Sequence, residues 1–266
     1  MKKLRRAMRC MSHGAALMVV SGIAALTPAA GQGQPPAAVI VLAEKDRAAR
    51  NASAALGRYD AALVSAPTNY DLLWRAAREL VDLGEAATPP SQRTEYNAKA
   101  EAYARRAVAA NAGGADGRFM LAVALGRTAL TLGSRERVKY AGEIYDQAAA
   151  AVKIDPRHAG ALHVLGVWNA EIMRLNGITR FAARNFLGGK VFDRASWSEA
   201  RRYMEAAVAA DPGRITHRLD LAKIYADNGD KAKARSTCDE ALRMPAVEFN
   251  DARYKQQCQE RIAAWR

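Results

Sequence analysis

The chain has 266 residues, with 40 Lys and Arg against 27 Asp and Glu, a formal charge of +13. Half of its residues are hydrophobic, 7% are aromatic and 59 are alanine, which argues against a β-sandwich or barrel; 25% charged residues argue against wholesale disorder. The length allows one large domain or two small ones, and the charge raises nucleic acid as a partner until the basic residues are located.

Lys2, Lys3, Arg5, Arg6 and Arg9 precede an apolar run from Gly14 to Leu26, and Thr27, Pro28, Ala29, Ala30 and Gly31 follow it. Basic, apolar and small-residue regions in that order are those of a secretory signal peptide over residues 1–31. The run is shorter than the roughly 20 residues that span a bilayer, and Pro28 ends it. Cleavage is expected before Gln32, with cuts after Ala29 or Ala30 as alternatives. The expected location is periplasmic or otherwise exported, with no stable membrane span after cleavage. An uncleaved anchor and a mitochondrial transit peptide are the rival readings; the apolar block is not amphipathic, which weighs against the second. Cys10 precedes the block and is not placed as a lipoprotein cysteine. Removing 1–31 takes away five basic residues and no acid, leaving 35 basic against 27 acidic side chains, a charge of +8. Residues 32–39 read as a leader or linker.

From residue 40 onward, apolar residues recur at three- and four-residue spacing, and Gly or Pro falls between segments of helical length. One pattern repeats: Ala55, Tyr59, Ala62 and Pro67; Ala100, Ala104, Ala107 and Ala112; Ala148, Ala151 and Pro156; Ala200, Met204, Ala207 and Pro212; Ala234, Cys238 and Ala241. Small Ala at the contact points lets one helix lie close against its partner, the larger residue between them fills the gap toward the next pair, and proline ends the helix because it has no N–H to donate. Leu165–Gly166 and Leu221–Ala222 are the matching first-helix signals. This is the helix–turn–helix tetratricopeptide (TPR) pattern, with a nominal unit of about 34 residues. The expected fold is an all-α, TPR-like α-solenoid of about five helix pairs over residues 40–249, capped by a helix over 250–266. In the cap, Tyr254, Cys258, Ile262 and Trp265 share one stripe and cover the last pair. Trp74, Trp168, Trp197 and Trp265 read as packing residues.

The fourth pair is stretched: Pro156 and Pro212 stand 56 residues apart, about 22 more than one repeat. The excess predicts a long first helix, Ala161–Leu175, then an extra amphipathic helix at about 178–187 with Ile178, Phe181, Phe186 and Leu187 as its apolar members. Leu165-Gly166-Val167-Trp168, the run from Arg180 through Phe181, Ala182, Ala183, Phe186 and Leu187 to Gly188, and Ala195-Ser196-Trp197-Ser198-Glu199-Ala200 carry a family likeness. Over about Asp155–Arg266 the chain resembles the regulator-of-microtubule-dynamics family, departing at Val167, where the family usually has Arg, and around Gly177, where it usually has a bulky aromatic. The resemblance implies the fold and a helical groove. The microtubule role of the eukaryotic members does not fit an exported chain.

No enzyme motif is present. Gly188-Gly189-Lys190 lacks the rest of a phosphate-binding loop. His158 and His163 are five apart, unlike the four-residue spacing of zinc helices, and read as turn and groove residues. Glu171 and Asp220 read as solvated or ion-paired carboxylates. The expectation is a non-enzyme without metal or cofactor. Outside the signal region the only cysteines are Cys238 and Cys258, at similar depths on neighbouring antiparallel helices. A disulfide between them is feasible, and two buried free thiols are the alternative.

Basic residues are dispersed, without the clustered stripe and stacking aromatics that nucleic-acid binding needs. Their densest group, Arg174, Arg180, Arg184 and Lys190, reads as a solvated face or an anion-attracting rim. First helices line the concave side of such a stack, which places His163, Val167, Ala170, Arg174, Thr216, Leu219 and Lys223 in a partner-binding groove. The expected function is an exported, non-catalytic scaffold that holds a protein segment there. A carrier of a lipid or another amphipathic small molecule is the alternative.

Overall fold

The computed structural model describes residues 34–265 other than 178 and 182–189. The signal region at 1–31 and most of the inserted helix expected at 178–187 lie outside the described residues, as do Arg184 and Gly188–Gly189. Within them the regular structure is helical: α1 (Pro36–Ala48), α2 (Ala52–Ser65), α3 (Tyr70–Ala86), α4 (Pro90–Ala110), α5 (Ala115–Ala129), α6 (Ser134–Ile154), α7 (Ala159–Arg174), a 3-10 turn (Lys190–Arg194), α8 (Trp197–Ala210), α9 (Ile215–Asp227), α10 (Lys231–Arg243) and α11 (Asp251–Ala264). Helices α1 to α10 pack as five consecutive pairs, and α11 lies on α9 and α10.

The repeated residues are where the paired helices touch. Ala55, Tyr59, Ala100, Ala104, Ala107, Ala148, Ala151, Ala200, Met204, Ala207, Ala234, Cys238 and Ala241 are all fully buried. Gly166 on α7 shows how close the approach is. A Cβ there would stand 3.2 Å from the Ala200 carbonyl oxygen of α8. The helix ends are equally local in origin. Asn51, Asn69, Ser196 and Asp230 cap α2, α3, α8 and α10 by accepting a backbone N–H three residues on. At the ends of α4, α6 and α8 the side chains of Asn111, Asp155 and Asp211 each accept the N–H two residues later. That Asx turn makes the stop, so Ala112 serves where Pro156 and Pro212 stand in the other copies.

The stretched fourth pair is anchored by an aromatic that its periodicity does not reveal. The 3-10 turn buries Phe192 edge-on to Trp168, with ring centroids 6.3 Å apart, and Tyr145 of α6 meets the same indole at 4.8 Å. The Trp168 indole N–H donates to the Ala141 carbonyl at 2.8 Å, which satisfies its one polar atom inside the core.

Helix α11 covers the fifth pair through Cys258, Trp265, Tyr254 and Ile262, the stripe expected of a cap, and it also reaches the start of the stack. The Tyr254 hydroxyl donates to the Glu85 carboxylate at the end of α3 (2.8 Å), Arg253 donates to the Glu85 carbonyl, and the Asn250 amide donates to the Asp82 carbonyl (3.1 Å). The loop before α11 adds Glu248, which pairs with Arg47 of α1 (2.5 Å) and with Arg214 (3.1 Å). Asp251 aims that loop by accepting the N–H groups of Val247 and Glu248. The last helix therefore joins both ends of the repeat array.

Candidate functional site

Two polar regions lie on the first-helix side. The first is the joint between the ends. Arg47 meets Glu79 (3.0 Å), Asp82 (2.8 Å) and Glu248, and its side chain is only 11% exposed. Glu79 is fully buried and takes a second cation, Arg78, at 2.9 Å. Burial raises the Glu79 and Asp82 carboxyls despite the arginines beside them. Burial alone would lower Arg47, but Asp82, Glu79 and Glu248 hold its guanidinium above the ordinary value. Arg127 from the end of α5 joins the same region by pairing with Glu85 (2.5 Å). Its charged side chains are paired by the chain itself, and a cavity of about 450 Å³ opens beside them, lined by Glu85, Ala87, Arg93, Phe249, Asn250 and Arg253.

The second region is open. A cavity of about 300 Å³ lies between α7, α9 and α11. Val167, Ala170, Ile224, Ala226 and Trp265 supply apolar wall, and Glu171, Arg174, Asp220, Lys223, Asp227 and Arg261 supply charge. Arg174 bonds to Asp227 through both Nε (3.0 Å) and Nη2 (2.5 Å) and also to Glu171. Lys223 donates to one Asp220 oxygen at 2.7 Å, and His163 Nε2 meets the other at 2.8 Å. Burial alone would raise the Asp220 carboxyl, but Lys223 and His163 hold it well below the usual carboxylate range. The His163 ring stacks on His217 at 4.7 Å. His217 is buried with an unpartnered Nδ1, and burial, with the charges of His163 and Arg214, pulls its pKa down to about 2. Exposed Arg261 has no hydrogen-bond or ion-pair partner among the described residues, so three cations and three anions leave one free guanidinium at the cavity.

Of the seven residues expected in the groove, Val167, Ala170, Arg174 and Lys223 line this cavity. His163 stands behind it through Asp220. Leu219 does not: it is 1% exposed and packs in the core with Leu162, Ile215 and Ala222. Thr216 is half-buried and outside the cavity lining. The face of α9 that lines the cavity runs through Asp220, Lys223, Ile224 and Asp227, one position on from the expected stripe, because the core claims Ile215 and Leu219. Sequence reasoning read Asp220 as an ordinary carboxylate and assigned Arg261 no role. Of the basic set around the insert, Arg174 is tied to acids and the Arg180 Nη1 contacts the Met173 sulfur at 3.3 Å, while Arg184 lies outside the described residues. His158 caps α7 by accepting the Ala161 N–H at its Nδ1. Cys238 and Cys258 are both buried, with sulfurs 2.9 Å apart. Among the described residues no cluster of His, Cys, Asp and Glu has the makings of a metal site, and no helix is long and apolar enough to cross a membrane.

The model of the family described as regulator of microtubule dynamics protein 1-3 matches residues 41–266. The chain belongs to that family. It is 25% identical over 188 residues to regulator of microtubule dynamics protein 1 of Caenorhabditis elegans, covering 71% of this chain and 82% of the relative. It is 22% identical over 191 residues to regulator of microtubule dynamics protein 3 of Rattus norvegicus, covering 71% of this chain and 40% of the relative. Among solved structures it is similar to a thermophilic TPR protein of Thermus thermophilus, with a TM-score of 0.60, 20% identity and coverage of 86% and 97% of the two chains. That likeness shows the fold, a TPR-like α-solenoid. The family match extends well beyond the stretched repeat and includes both the joint and the cavity.

Proposed function

We propose that this family member is an exported, non-catalytic binding protein that holds a segment of a protein partner in the cavity between α7, α9 and α11. A TPR-like stack supports protein interaction, and one observation favours this cavity: its apolar wall of Val167, Ala170 and Trp265 carries Arg261, which has no partner among the described residues, whereas the charged side chains of the joint are paired with one another and with the chain's own last segment. The mixture of charge and apolar wall suits a peptide, whose carboxylates and amides need partners on all sides, better than an acyl chain, which would leave the charges around it unsolvated. The names of the relatives refer to microtubules; an exported chain meets none, so the groove rather than the microtubule role is what carries over. Export rests on the basic, apolar and small-residue order of residues 1–31.

The test places a photoreactive residue at Ala226 in the full chain, in its native host, with Val64 on the exposed side of α2 as the control position. A protein crosslink at 226 that is absent at 64 and lost in Arg261→Glu is the expected result. Crosslinks to lipid alone overturn the protein reading in favour of the carrier, and equal crosslinking at both positions overturns the groove. Recovery of the protein in the exported fraction of the host tests export, and its mass tests cleavage, since a chain that retains residue 1 is uncleaved.

A further inference from the structure

We propose that Cys238 and Cys258 are a redox pair that closes into a disulfide and staples α11, the helix that both walls the cavity and joins the two ends of the array, to the last repeat. The two cysteines face each other from α10 and α11, both fully buried, with sulfurs 2.9 Å apart. A bond needs them at about 2.04 Å, a closing movement of about 0.9 Å between side chains that already touch. No third cysteine competes outside the first 31 residues, where Cys10 lies.

The position gives the bond its consequence. Cys258 sits mid-helix in α11. One turn before it, Tyr254 bonds to Glu85 of α3; beyond it, Arg261 and Trp265 wall the cavity. The noncovalent hold on the far end of α11 includes the Trp265 carbonyl, which accepts from Arg235 at 2.7 Å. A bridge at 258 therefore pins the helix between its two working ends.

The chemistry is thiol–disulfide exchange with a small disulfide such as oxidised glutathione. One Cys thiolate attacks it, forming a mixed disulfide and releasing one glutathione thiolate. The second Cys thiolate then attacks the protein sulfur of that mixed disulfide, forming the S–S bond and releasing the second glutathione thiolate. The two protons lost by the protein thiols reappear on two glutathione molecules, and the two electrons pass to the glutathione disulfide. Full burial keeps reagents from the folded pair, so the bond closes as α11 docks during folding and is then shielded from reduction.

The full chain carrying Cys10→Ser is unfolded in urea and refolded in glutathione buffers from fully reduced to fully oxidised. It is then acid-quenched, unfolded and alkylated, and its intact mass is measured. The expected product is a monomer lighter by two hydrogens, with neither cysteine alkylated and one peptide pair joined through residues 238 and 258. Amide hydrogen exchange of α11 is expected to slow at least tenfold in the oxidised form and to be equal in both buffers for Cys258→Ser. Two alkylated cysteines in every buffer, or glutathione adducts without a bridge, overturn the pair. A bridge that leaves exchange in α11 unchanged overturns the staple. None of these readouts requires a partner, so they stand or fall separately from the binding role of the cavity.

Discussion

At one end of the inner face, α1 and α3 finish in Arg47, Glu79, Asp82 and Glu85, and the α10–α11 segment lies against them with Glu248, Asn250, Arg253 and Tyr254. At the other end, α7 and α9 touch more sparingly than α3 and α5 do, and a cavity remains between them and the same α11. The repeat is the same in both places. What differs is where the acids and bases find partners. In the joint Arg47, Glu79 and Asp82 pair between α1 and α3, and Glu248 and Tyr254 of the last segment add to Arg47 and Glu85, so the full set of partners is reached only on closure. In the cavity each acid is paired within α7 and α9 or between them, as in Arg174–Asp227 and Lys223–Asp220, and closure is not required. One helix thus serves as a seal at its beginning and as a wall at its end.

The largest effect is expected from breaking the seal. Arg47→Leu leaves Glu79 fully buried with Arg78 alone, takes the cation from Asp82 and leaves Glu248 with Arg214. Removing one partner of a buried ion cluster costs about 3–5 kcal/mol, read as a lower urea midpoint in equilibrium unfolding. Arg47→Leu with Glu79→Leu is expected to recover part of the loss, since the isolated buried charge is the main penalty. A single variant within about 0.5 kcal/mol of the parent shows that the ends are not energetically joined.

The repeat and its cap were legible because their signals are local. Ala100, Ala104 and Ala107 lie within two turns, and Tyr254, Cys258, Ile262 and Trp265 within three, so helical periodicity alone aligns them. The cavity was half legible. Val167, Ala170 and Arg174 follow from α7, but on α9 the expected stripe chose Thr216 and Leu219, and one residue of register is about 100° of rotation. Only the packing of Ile215 and Leu219 into the core settles which face is left. The joint was not legible, since its contacts span 168 and 201 residues. One trace existed: Glu79 lies on the buried stripe of α3, three residues after Ala76 and seven after Leu72. An acid in that position demands a buried cation, but nothing local says that it is Arg47.

The second effect separates the two regions by pH. His217, behind the cavity, has its pKa pulled down to about 2, against about 6.5 in an unfolded chain. As pH falls below about 6.5 the unfolded chain takes up a proton that the folded chain refuses, so stability is lost. In the joint the sign is opposite: burial raises Glu79 and Asp82, so the folded state binds protons there more readily and acid relieves it. Asp220, held low, keeps its charge in this window and its contribution is lost only in stronger acid. Comparing the chain with His217→Leu isolates the histidine. Between about pH 7 and pH 5 the parent is expected to lose about 2 kcal/mol more than the variant. Parallel pH profiles in urea titrations would falsify the buried neutral state of His217.

The smallest effect is the most local test of the seal. Tyr254→Phe keeps the ring in the core of α11 and removes only the hydroxyl that donates to Glu85, whose second oxygen-bound partner is Arg127. Because the acceptor is a largely buried carboxylate, about 1–2 kcal/mol is expected, measured by urea unfolding. Its value lies in combination with Arg47→Leu. The two side chains do not touch; they meet only through the ends of α3 and through the α10–α11 segment. If each merely packs its own neighbours, the losses add within about 0.3–0.5 kcal/mol, as for independent sites. If the last helix joins the two ends, the first substitution already loosens what the second would break, and the double variant loses less than the sum. Additivity would assign the two contacts to separate surfaces and reduce the joint to coincidental neighbours. A shortfall would make closure of the stack a single cooperative event, with α11 held at the joint whether or not the cavity is filled.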